Sequence, residues 1–456
     1  MAQLSSARKS AYNVLCHAHE RNAYVREVLN SPFGTQQLQG LQESDAAFAR
    51  KLALGCEAAK GTLDEIIDNY VAKPSKLDTS VREALRISAY ELLYLEKPAH
   101  VAVSQGVELV RLHTKSAAGL ANAVLRKIAQ NRETFFESNP EAKYGLPSWI
   151  FKRIIEDCTE ERAKALSESL LNEPPIYVAA LEPCIPAVSA QAQFEAEGLH
   201  TVPCGEIPGA FLIQNPERIS TCKLFKDNYA VVSDYAAQTV AYIAAPKHSE
   251  QMLEVGSGRG TKSLLMMSHA NRFASEAHIC AVDIHDHKAN IASERFELNG
   301  MTGVSWYTGD ICQEEVWQEL PDAFDRILVD APCTGTGTLR RHPEIVWSLT
   351  PNDVDSCAAL QVKMLKSVAK HLNSSGSLIY STCSILRQEN EDVIDAFLNS
   401  EEGKGFVIDP ISERASSEPL RQELQSVSTP EGYMRTYPSK TSCDGHFCAV
   451  LTKQPQ

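Results

Sequence analysis

Two cysteines that follow short apolar runs are the residues best suited to chemistry. Cys333 ends the stretch 330–333 (DAPC), and Cys383 lies in the stretch 381–384 (STCS). Each stretch follows a run typical of a buried strand, and doubly wound sheets bind their ligands at the carboxyl ends of such strands. The two thiols are therefore expected to face one pocket, although fifty residues separate them.

Two thiols beside an acid suit the methylation of carbon 5 of a cytosine. Carbon 5 is a poor nucleophile, but a thiolate that adds to carbon 6 makes the ring enamine-like, so that carbon 5 can attack a methyl donor. The proton on carbon 5 then leaves and the cysteine is eliminated, which divides one hard step into easier ones. Asp330 could hold the ring nitrogen and the exocyclic amine. Free cysteines are more often buried core residues, so a structural role for both stays open at this point.

A glycine-rich stretch, 254–260 (EVGSGRG), lies between a strand candidate and a helical run. Glycines let the backbone turn sharply and approach a ligand closely. Asp283 ends the next strand candidate, where a carboxylate can accept hydrogen bonds from ribose hydroxyls, and Asp310, after a third, could hold the adenine side. The predicted cofactor residues are Gly256, Ser257, Gly258, Arg259, Gly260, Thr261, Lys262, Asp283, Asp310 and Asp330.

Other nucleotide enzymes share part of this pattern. Dinucleotide enzymes have a similar loop and a similar acid, so a dehydrogenase stays possible on these two features alone. A P-loop is excluded because the stretch lacks the Gly-Lys-Ser/Thr ending.

Two further clusters have residue types that could bind phosphate or a metal ion. Arg340, Arg341 and His342 follow Cys333 closely and are predicted to contact RNA phosphates, with a solvated charge run as the alternative. The cysteines and histidine of residues 443–448 match no common zinc spacing, and no second pair lies nearby, so no metal site is predicted.

The elements that must position these residues change along the chain. From about residue 234, strand candidates at 251–255, 278–282, 304–307, 326–329 and 377–380 are separated mostly by helical stretches such as 290–299 and 353–372. Strands that alternate with helices indicate a mainly parallel, doubly wound sheet. The first 130 residues instead carry apolar residues at helical spacing, without strand-like alternation.

The region between these parts is mixed. Residues 131–145 are polar, with Asn139-Pro140 and Gly145, and read as a linker. A helical pattern covers 144–171, and short apolar runs follow at 176–180, 211–213 and 230–232, which indicates a small α+β domain.

Composition limits the class of protein. Of 456 residues, 43% are hydrophobic and 22% charged, which is typical of globular domains, and no apolar run is long enough to cross a membrane. Thirteen cysteines without a secretion signal favour reduced thiols in the cytoplasm. The net charge of −14 divides unevenly: residues 1–130 carry 16 basic and 13 acidic residues (+3), and the remainder 28 and 45 (−17). Phosphate binding depends on the local field, so this balance does not exclude RNA.

Longer stretches around the two cysteines resemble a known family. Residues 330–347 (DAPCTGTGTLRRHPEIVW) and 378–394 (LIYSTCSILRQENEDVI) are similar to the fourth and sixth motifs of the Sun (Nop/Sun) RNA cytosine-5 methyltransferases. Residues 444–447 (DGHF) resemble their closing DGFF, with His446 in place of Phe. The resemblance implies that S-adenosylmethionine (SAM) is the cofactor, that Cys383 attacks the base and that Cys333 assists product release.

The resemblance extends to the N-terminal region. Residues 97–100 (KPAH) and 118–126 (AGLANAVLR) resemble the NusB-like RNA-binding domain that precedes the catalytic unit in the bacterial small-subunit rRNA branch of the family. The glycine loop departs from the family's CAAPGGKT: residues 256–263 read GSGRGTKS, so only Gly260 and Lys262 keep their places. This leaves open the contacts of Ser257, Arg259 and Thr261.

These observations combine into one expected architecture. We expect an all-α NusB-like RNA-binding domain (1–135), a small α+β connector (144–230) and an α/β Rossmann-like SAM methyltransferase domain (231–456). The expected function is methylation of carbon 5 of a cytosine in ribosomal RNA, with no obligate protein partner inferred. The alternatives are a tRNA cytosine-5 methyltransferase and a non-catalytic RNA-binding assembly factor, and the intact pair Cys333 and Cys383 argues against the latter.

Overall fold

The computed structural model describes residues 3–139, 142, 145–170, 174–272, 276–439 and 442–454. The chain divides into two compact units, Met1–Asn172 with Arg341–Ser348, and Glu173–Arg340 with Leu349–Gln456. The three-domain division stays a prediction, and its boundaries differ from this one. Helices that follow residue 144 belong to the first unit, and the region predicted as a connector belongs largely to the second.

The first unit is built from helices, which confirms the predicted all-helical module. Its central helix, Thr79–Leu93, begins where the Asp78 carboxylate accepts a hydrogen bond from the Ser80 amide at 2.8 Å, and it is buried along most of its length. Buried Glu91 of this helix pairs with Arg8 at 2.5 Å. The other helices are Ser6–Arg21, Val25–Asn30, Pro32–Leu38, Glu43–Ala58, Lys60–Asp68, Ala99–Arg111, Ala118–Gln130, Arg132–Ser138, Ser148–Asp157 and Glu160–Leu170.

A distant segment completes the first unit. Residues Arg341–Ser348, which contain the short helix Ile345–Ser348, pack on its helices. The Trp347 indole donates to the carbonyls of Glu57 and Ala58, both at 3.2 Å. Gly61 lies under the same ring, where a Cβ atom would come within 2.1 Å of it. The fit of Trp347 therefore requires glycine at position 61.

The second unit contains a small antiparallel sheet. Its strands are β1 (Ile176–Ala180), β2 (Thr201–Pro203), β3 (Ala210–Ile213) and β4 (Ala230–Val232), in the order β2-β3-β1-β4. The helix Ala187–Ala196 packs on one face, through Phe194 against Phe211. On the other face, Ala179 and Val231 belong to the same apolar core as Met252 of the large sheet. This shared core is why the small sheet is not a separate compact unit.

The large sheet carries the residues of interest. Its strands are β5 (Gln251–Val255), β6 (His278–Asp283), β7 (Val304–Thr308), β8 (Phe324–Asp330), β9 (Leu372–Thr382), β10 (Phe406–Ile408), β11 (Met434–Arg435) and β12 (Phe447–Lys453). The order is β10-β12-β9-β8-β5-β6-β7, with β11 beside β12. Strands β5 to β9 pair in parallel, which confirms the predicted Rossmann-like fold, whereas β12 runs antiparallel to β9.

Helices cover the large sheet and connect its strands. They are Tyr235–Ala244, Thr261–Asn271, Asp286–Asn299, Glu314–Trp317, Pro351–Ala369, Glu391–Leu398 and Glu418–Ser426, and the short helix Lys223–Lys226 lies before β4. Among the described residues, no helix combines the length and the apolar character that a membrane crossing needs.

Candidate active site

A cleft of about 550 Å³ opens at the carboxyl ends of β5, β6 and β8. Half of the ten predicted cofactor residues line it: Gly256, Gly258, Asp283, Asp310 and Asp330. Apolar side chains line it too, among them Ile284, Pro332 and Met364. Ile284 is 62% exposed, which is unusual for so large an apolar side chain and leaves an open apolar surface beside Asp283.

The glycine loop lies against the end of β8. Gly256 has a φ of +83°, which favours glycine, and a Cβ atom there would be 2.3 Å from the Asp330 carbonyl oxygen. The backbone conformation and the close approach each exclude a side chain at this position. The Gly258 amide donates to the Asp283 carboxylate at 2.9 Å. Gly260, with a φ of +73°, packs against Ala292. Gly256 and Gly258 of the loop thus line the cleft.

Ser257, Arg259, Gly260, Thr261 and Lys262 do not line this cleft. Arg259 is exposed, and its carbonyl accepts from Arg295 at 2.6 Å. The same guanidinium donates to the Thr261 hydroxyl at 3.0 Å. Arg259 and Thr261 are thus held by a neighbouring helix at the base of the loop.

The acids at the ends of β6 and β7 differ in their surroundings. Asp283 is 7% exposed and also accepts from the His285 amide at 2.9 Å, with Lys288 at 3.7 Å. Asp310 is exposed and accepts from the Cys312 amide at 2.9 Å. Both carboxylates are therefore oriented by backbone amides at the edge of the cleft.

Lys262 and Asp330 form an ion pair between the loop and β8. The Lys262 ammonium lies 2.7 Å from Asp330 Oδ2, and the Ser381 hydroxyl donates to Oδ1 at 2.8 Å. Burial alone would lower the pKa of Lys262, but the charge of Asp330, its hydrogen bond and the nearby Cys383 and Glu254 together outweigh burial and raise that pKa. A fixed positive charge thus accompanies Asp330 at physiological pH.

Glu254, at the end of β5, is buried beneath the loop. Its Oε2 accepts from the Ser263 hydroxyl at 2.5 Å, whereas Oε1, like the buried hydroxyl of Ser257, has no hydrogen-bond partner within the described part of the chain. Burial raises the pKa of Glu254 to about 7. Buried polar atoms without partners are uncommon, so these two oxygens are exceptions to the usual pairing.

The raised pKa of Glu254 predicts a pH-dependent stability. Between about pH 4.5 and 7 the unfolded chain releases this proton while the folded protein keeps it, so the free energy of unfolding falls as pH rises. Glu254→Gln replaces the carboxyl group with an amide that does not titrate, so the variant should lose this pH dependence of stability. Between pH 4.5 and 7.5, the free energy of unfolding of the variant should therefore rise by about 2–3 kcal/mol relative to that of the parent. Urea denaturation of the ligand-free proteins across this pH range measures the free energy of unfolding. Parallel curves of that free energy against pH for parent and variant would contradict a raised pKa for Glu254.

The two cysteines meet beside the cleft. Cys333 Sγ and Cys383 Sγ are 3.3 Å apart, on segments that follow paired strands β8 and β9. A hydrogen bond from the Cys333 thiol lowers the pKa of Cys383, against the opposing effect of burial, whereas the pKa of Cys333 is raised by the same bond and by burial. Of the two thiols, Cys383 is therefore the one that ionises first.

One buried carboxylate ties the two cysteine segments together. Glu389, 0% exposed, accepts from the amide of Thr334 at 2.8 Å and from the hydroxyl of Ser384 at 2.6 Å. Thr334 follows Cys333, and Ser384 follows Cys383. The next residue, Asn390, accepts from the Thr382 hydroxyl at 2.6 Å and donates to the Ser384 carbonyl at 2.9 Å. Glu389 and Asn390 thus fix the separation of the two thiols.

Comparison with known proteins decides the family. A model described as 16S rRNA methyltransferase RsmB/F matches residues 241–452, and a NusB family model matches residues 5–130. Ribosomal RNA small subunit methyltransferase B of Escherichia coli O6:K15:H31 (strain 536 / UPEC) is 31% identical over 426 residues, 91% of this chain and 92% of that protein. The protein of the same name from Shigella flexneri serotype 5b (strain 8401) is 30% identical over the same shares. This chain belongs to the RsmB/F methyltransferase family.

Membership in the RsmB/F family confirms the Sun-family resemblance, the NusB-like N-terminal region, the methyltransferase class and SAM as the cofactor. Solved structures show the shared fold. The crystal structure of PH0851 has a TM-score of 0.75 and 20% identity and covers 99% of both chains. The structure of NSun6 from Pyrococcus horikoshii with SFG has a TM-score of 0.56 and 17% identity and covers 68% of this chain and 99% of that one.

In this RsmB/F member, the three residues of the basic run 340–342 belong to different units: Arg340 to the second, and Arg341 and His342 to the first. Arg340 is 2% exposed, donates to the carbonyls of Ser439 and Ser442 at 2.6 and 2.7 Å and lies 3.2 Å from Asp444. The prediction that Arg340 contacts phosphate does not fit this burial, because its guanidinium bonds to the protein itself. Arg341 and His342 lie in the segment of the first unit, where His342 is exposed and 3.2 Å from Glu344.

Sequence reasoning missed several residues at this RsmB/F site. Ile284 and Lys288 follow Asp283 and were not singled out, although an apolar residue after the acid was visible in the sequence. The sequence predicts no separate role for Glu389 and Asn390, which lie within the motif-like stretch 378–394. Their signal is the polar run 387–392, which begins four residues after Cys383. Such a run usually forms a solvated helix start, and only packing shows that both residues are fully buried.

Proposed function

We propose that this chain methylates carbon 5 of a cytosine in small-subunit ribosomal RNA and that Cys383 is the nucleophile. The observation that carries the proposal is the pair of thiols 3.3 Å apart at the end of paired strands, beside Asp330. The relatives' names supply the RNA class, because they describe methylation of small-subunit ribosomal RNA.

The residues of the cleft fit SAM. Gly256 lets the loop pack against the end of β8 at the wall of the cleft. Asp283 offers carboxylate oxygens for ribose hydroxyls, and exposed Ile284 offers an apolar surface for a ring. Glu254 and Ser257 each have an unpartnered oxygen, but both residues lie outside the lining of the cleft. We assign Asp310 to the adenine side. When bound, SAM supplies an electrophilic methyl group.

The chain's own residues then divide the work on the base. The Cys383 thiolate adds to carbon 6 of cytosine, which moves negative charge into the ring. The Asp330 carboxylate accepts from the exocyclic amine, and the Lys262 ammonium beside it stabilises the developing charge. After carbon 5 has lost its proton, Cys383 is expelled, and Cys333 assists this step from 3.3 Å away.

Asp283→Ala should weaken SAM binding roughly ten- to a hundred-fold, because a charge-assisted acceptor is worth about 1.5–3 kcal/mol. Asp283→Asn keeps one acceptor oxygen and should lose less. Asp286→Ala is the matched control, since Asp286 begins the following helix and does not line the cleft. Calorimetry measures the three dissociation constants, and equal losses for Asp283→Ala and Asp286→Ala would contradict the ribose assignment.

We further propose that the NusB-like unit contacts RNA phosphates. Residues 1–130 carry a net charge of +3 against −17 for the rest. Arg341 and His342, on the segment packed in this unit, remain candidate phosphate contacts. The cysteines of the described residues are present as thiols, which supports a reducing, cytoplasmic location.

Bisulfite sequencing of ribosomal and transfer RNA from cells with and without this protein tests the function. The expected result is one cytosine of small-subunit ribosomal RNA that loses methylation in the deletion and regains it with the parent gene. A lost tRNA signal with unchanged ribosomal RNA would favour the tRNA alternative. Unchanged methylation of both RNAs would favour a non-catalytic assembly factor.

A further inference from the structure

The two thiols of the active site are close enough to become bonded to each other. Their sulfur atoms are 3.3 Å apart, and a disulfide requires about 2.0 Å, so an approach of about 1.3 Å joins them. Both follow paired strands, with Asp330 opposite Ser381, and both are partly exposed to solvent. We propose that Cys333 and Cys383 form a peroxide-oxidation site whose product is an intramolecular disulfide that reversibly stops methyl transfer.

Cys383 is the sulfur that a peroxide would attack first. Thiolates and not thiols are oxidised, and reactivity follows thiolate character and exposure. The contact with Cys333, at 3.3 Å, and the positive charge of Lys262 both lower the pKa of Cys383. Burial instead raises the pKa of many other cysteines, among them Cys16, Cys56, Cys184, Cys204, Cys280, Cys312, Cys357, Cys443 and Cys448.

The chemistry balances with hydrogen peroxide as the only added reactant. The Cys383 thiolate attacks one peroxide oxygen, the O–O bond breaks, and sulfenic acid and hydroxide form. The Cys333 sulfur then attacks the Cys383 sulfur, its proton goes to the departing oxygen, and water leaves as the S–S bond forms. The two sulfurs lose two electrons in total, and the peroxide gains them.

This modification goes beyond methyl transfer but competes with it. Addition to cytosine needs the same electron pair on Cys383 that the disulfide takes away. Glu389, which holds both segments through Thr334 and Ser384, keeps the second thiol in reach of the first. Cys333 therefore protects Cys383 from irreversible oxidation, because a disulfide can be reduced by a dithiol and a sulfinic acid cannot.

The experiment treats the full-length protein with hydrogen peroxide in the absence of RNA and maps cysteines by peptide mass spectrometry. The expected result is a cross-link between the peptides of Cys333 and Cys383, with both thiols recovered after dithiothreitol. In Cys333→Ser, dimedone should capture a sulfenic acid at Cys383, and longer exposure should give sulfinic acid there. Cys357→Ser is the matched control, since this partly exposed cysteine has its pKa raised to about 11, and it should form the same cross-link as the parent.

Two outcomes would overturn the proposal. One is oxidation spread over the cysteines with no preference for Cys383. The other is equal formation of sulfinic acid at Cys383 in the parent and in Cys333→Ser, since Cys333 would then resolve nothing. Both outcomes are measured on the cysteines in the absence of RNA, so a failure of this proposal is distinguishable from a failure of the proposed RNA substrate. A methyl-transfer assay before and after dithiothreitol adds the functional result, with activity lost on oxidation and restored on reduction.

Discussion

Cys333→Ala should accumulate a protein–RNA complex that survives denaturing electrophoresis. In this variant the Cys383 thiolate still adds to the base and methyl transfer can still occur, but elimination stalls, because trapping needs an intact nucleophile and a slowed second step. The variant also loses the hydrogen bond that lowers the pKa of Cys383. Adduct formation should therefore move to higher pH than methyl transfer by the parent. Turnover should fall while the trapped fraction rises.

One control variant and two alternative outcomes test the roles assigned to Cys333 and Cys383. Cys357→Ala changes a thiol outside the pair and should form no more adduct than the parent. A Cys333→Ala protein with reduced stability and no adduct would indicate that Cys333 only packs at the strand end. An adduct in the Cys383 variant instead would reverse the roles of the two cysteines.

Cys383→Ala should abolish methyl transfer, a loss of roughly a thousandfold or more, as expected when a nucleophile is removed. Its affinity for SAM should stay within about twofold of the parent value, because Cys383 is not among the residues that line the cleft of Gly256 and Asp283. A transfer assay on unmodified ribosomal RNA and calorimetry with SAM measure the two quantities. Turnover close to that of the parent would exclude Cys383 as the nucleophile.

The strands that position the site could be predicted because their sequences are apolar and bounded by acids or glycines. The prediction for β5 at 251–255 agrees with the structure, and β6 and β7 differ by one residue. Strand β9 begins at Leu372 and not at 377, since the polar residues 373–376 hide its start. Strand β12 has no counterpart among the predicted strands, although residues 447–451 are apolar, because it pairs with residues of β9 that lie 65 to 75 positions earlier in the chain.

The sequence predicts the site residues whose role follows from their residue type and their place after a strand. It does not predict those whose role depends on a contact with a residue far away in the chain. Cys333 and Cys383 were placed together because each follows a strand of one parallel sheet. Arg340 was placed on RNA, since an arginine in a basic run is usually exposed. Its actual partner, Asp444, is 104 residues away. Glu389 is equally hidden, because its contact with Thr334 spans 55 residues.

The segment that completes the first unit also sets an order of synthesis. The unit comprises Met1–Asn172 and Arg341–Ser348, so a ribosome must add 176 further residues (348 − 172) after Asn172 before the unit has all its parts. At about 5–20 residues per second this takes roughly 9–35 seconds. During that time the surface around Gly61, shaped for Trp347, stays open to water and to other chains. The N-terminal unit is begun first, but it is finished only after Cys333, the first cysteine of the proposed site, has been made.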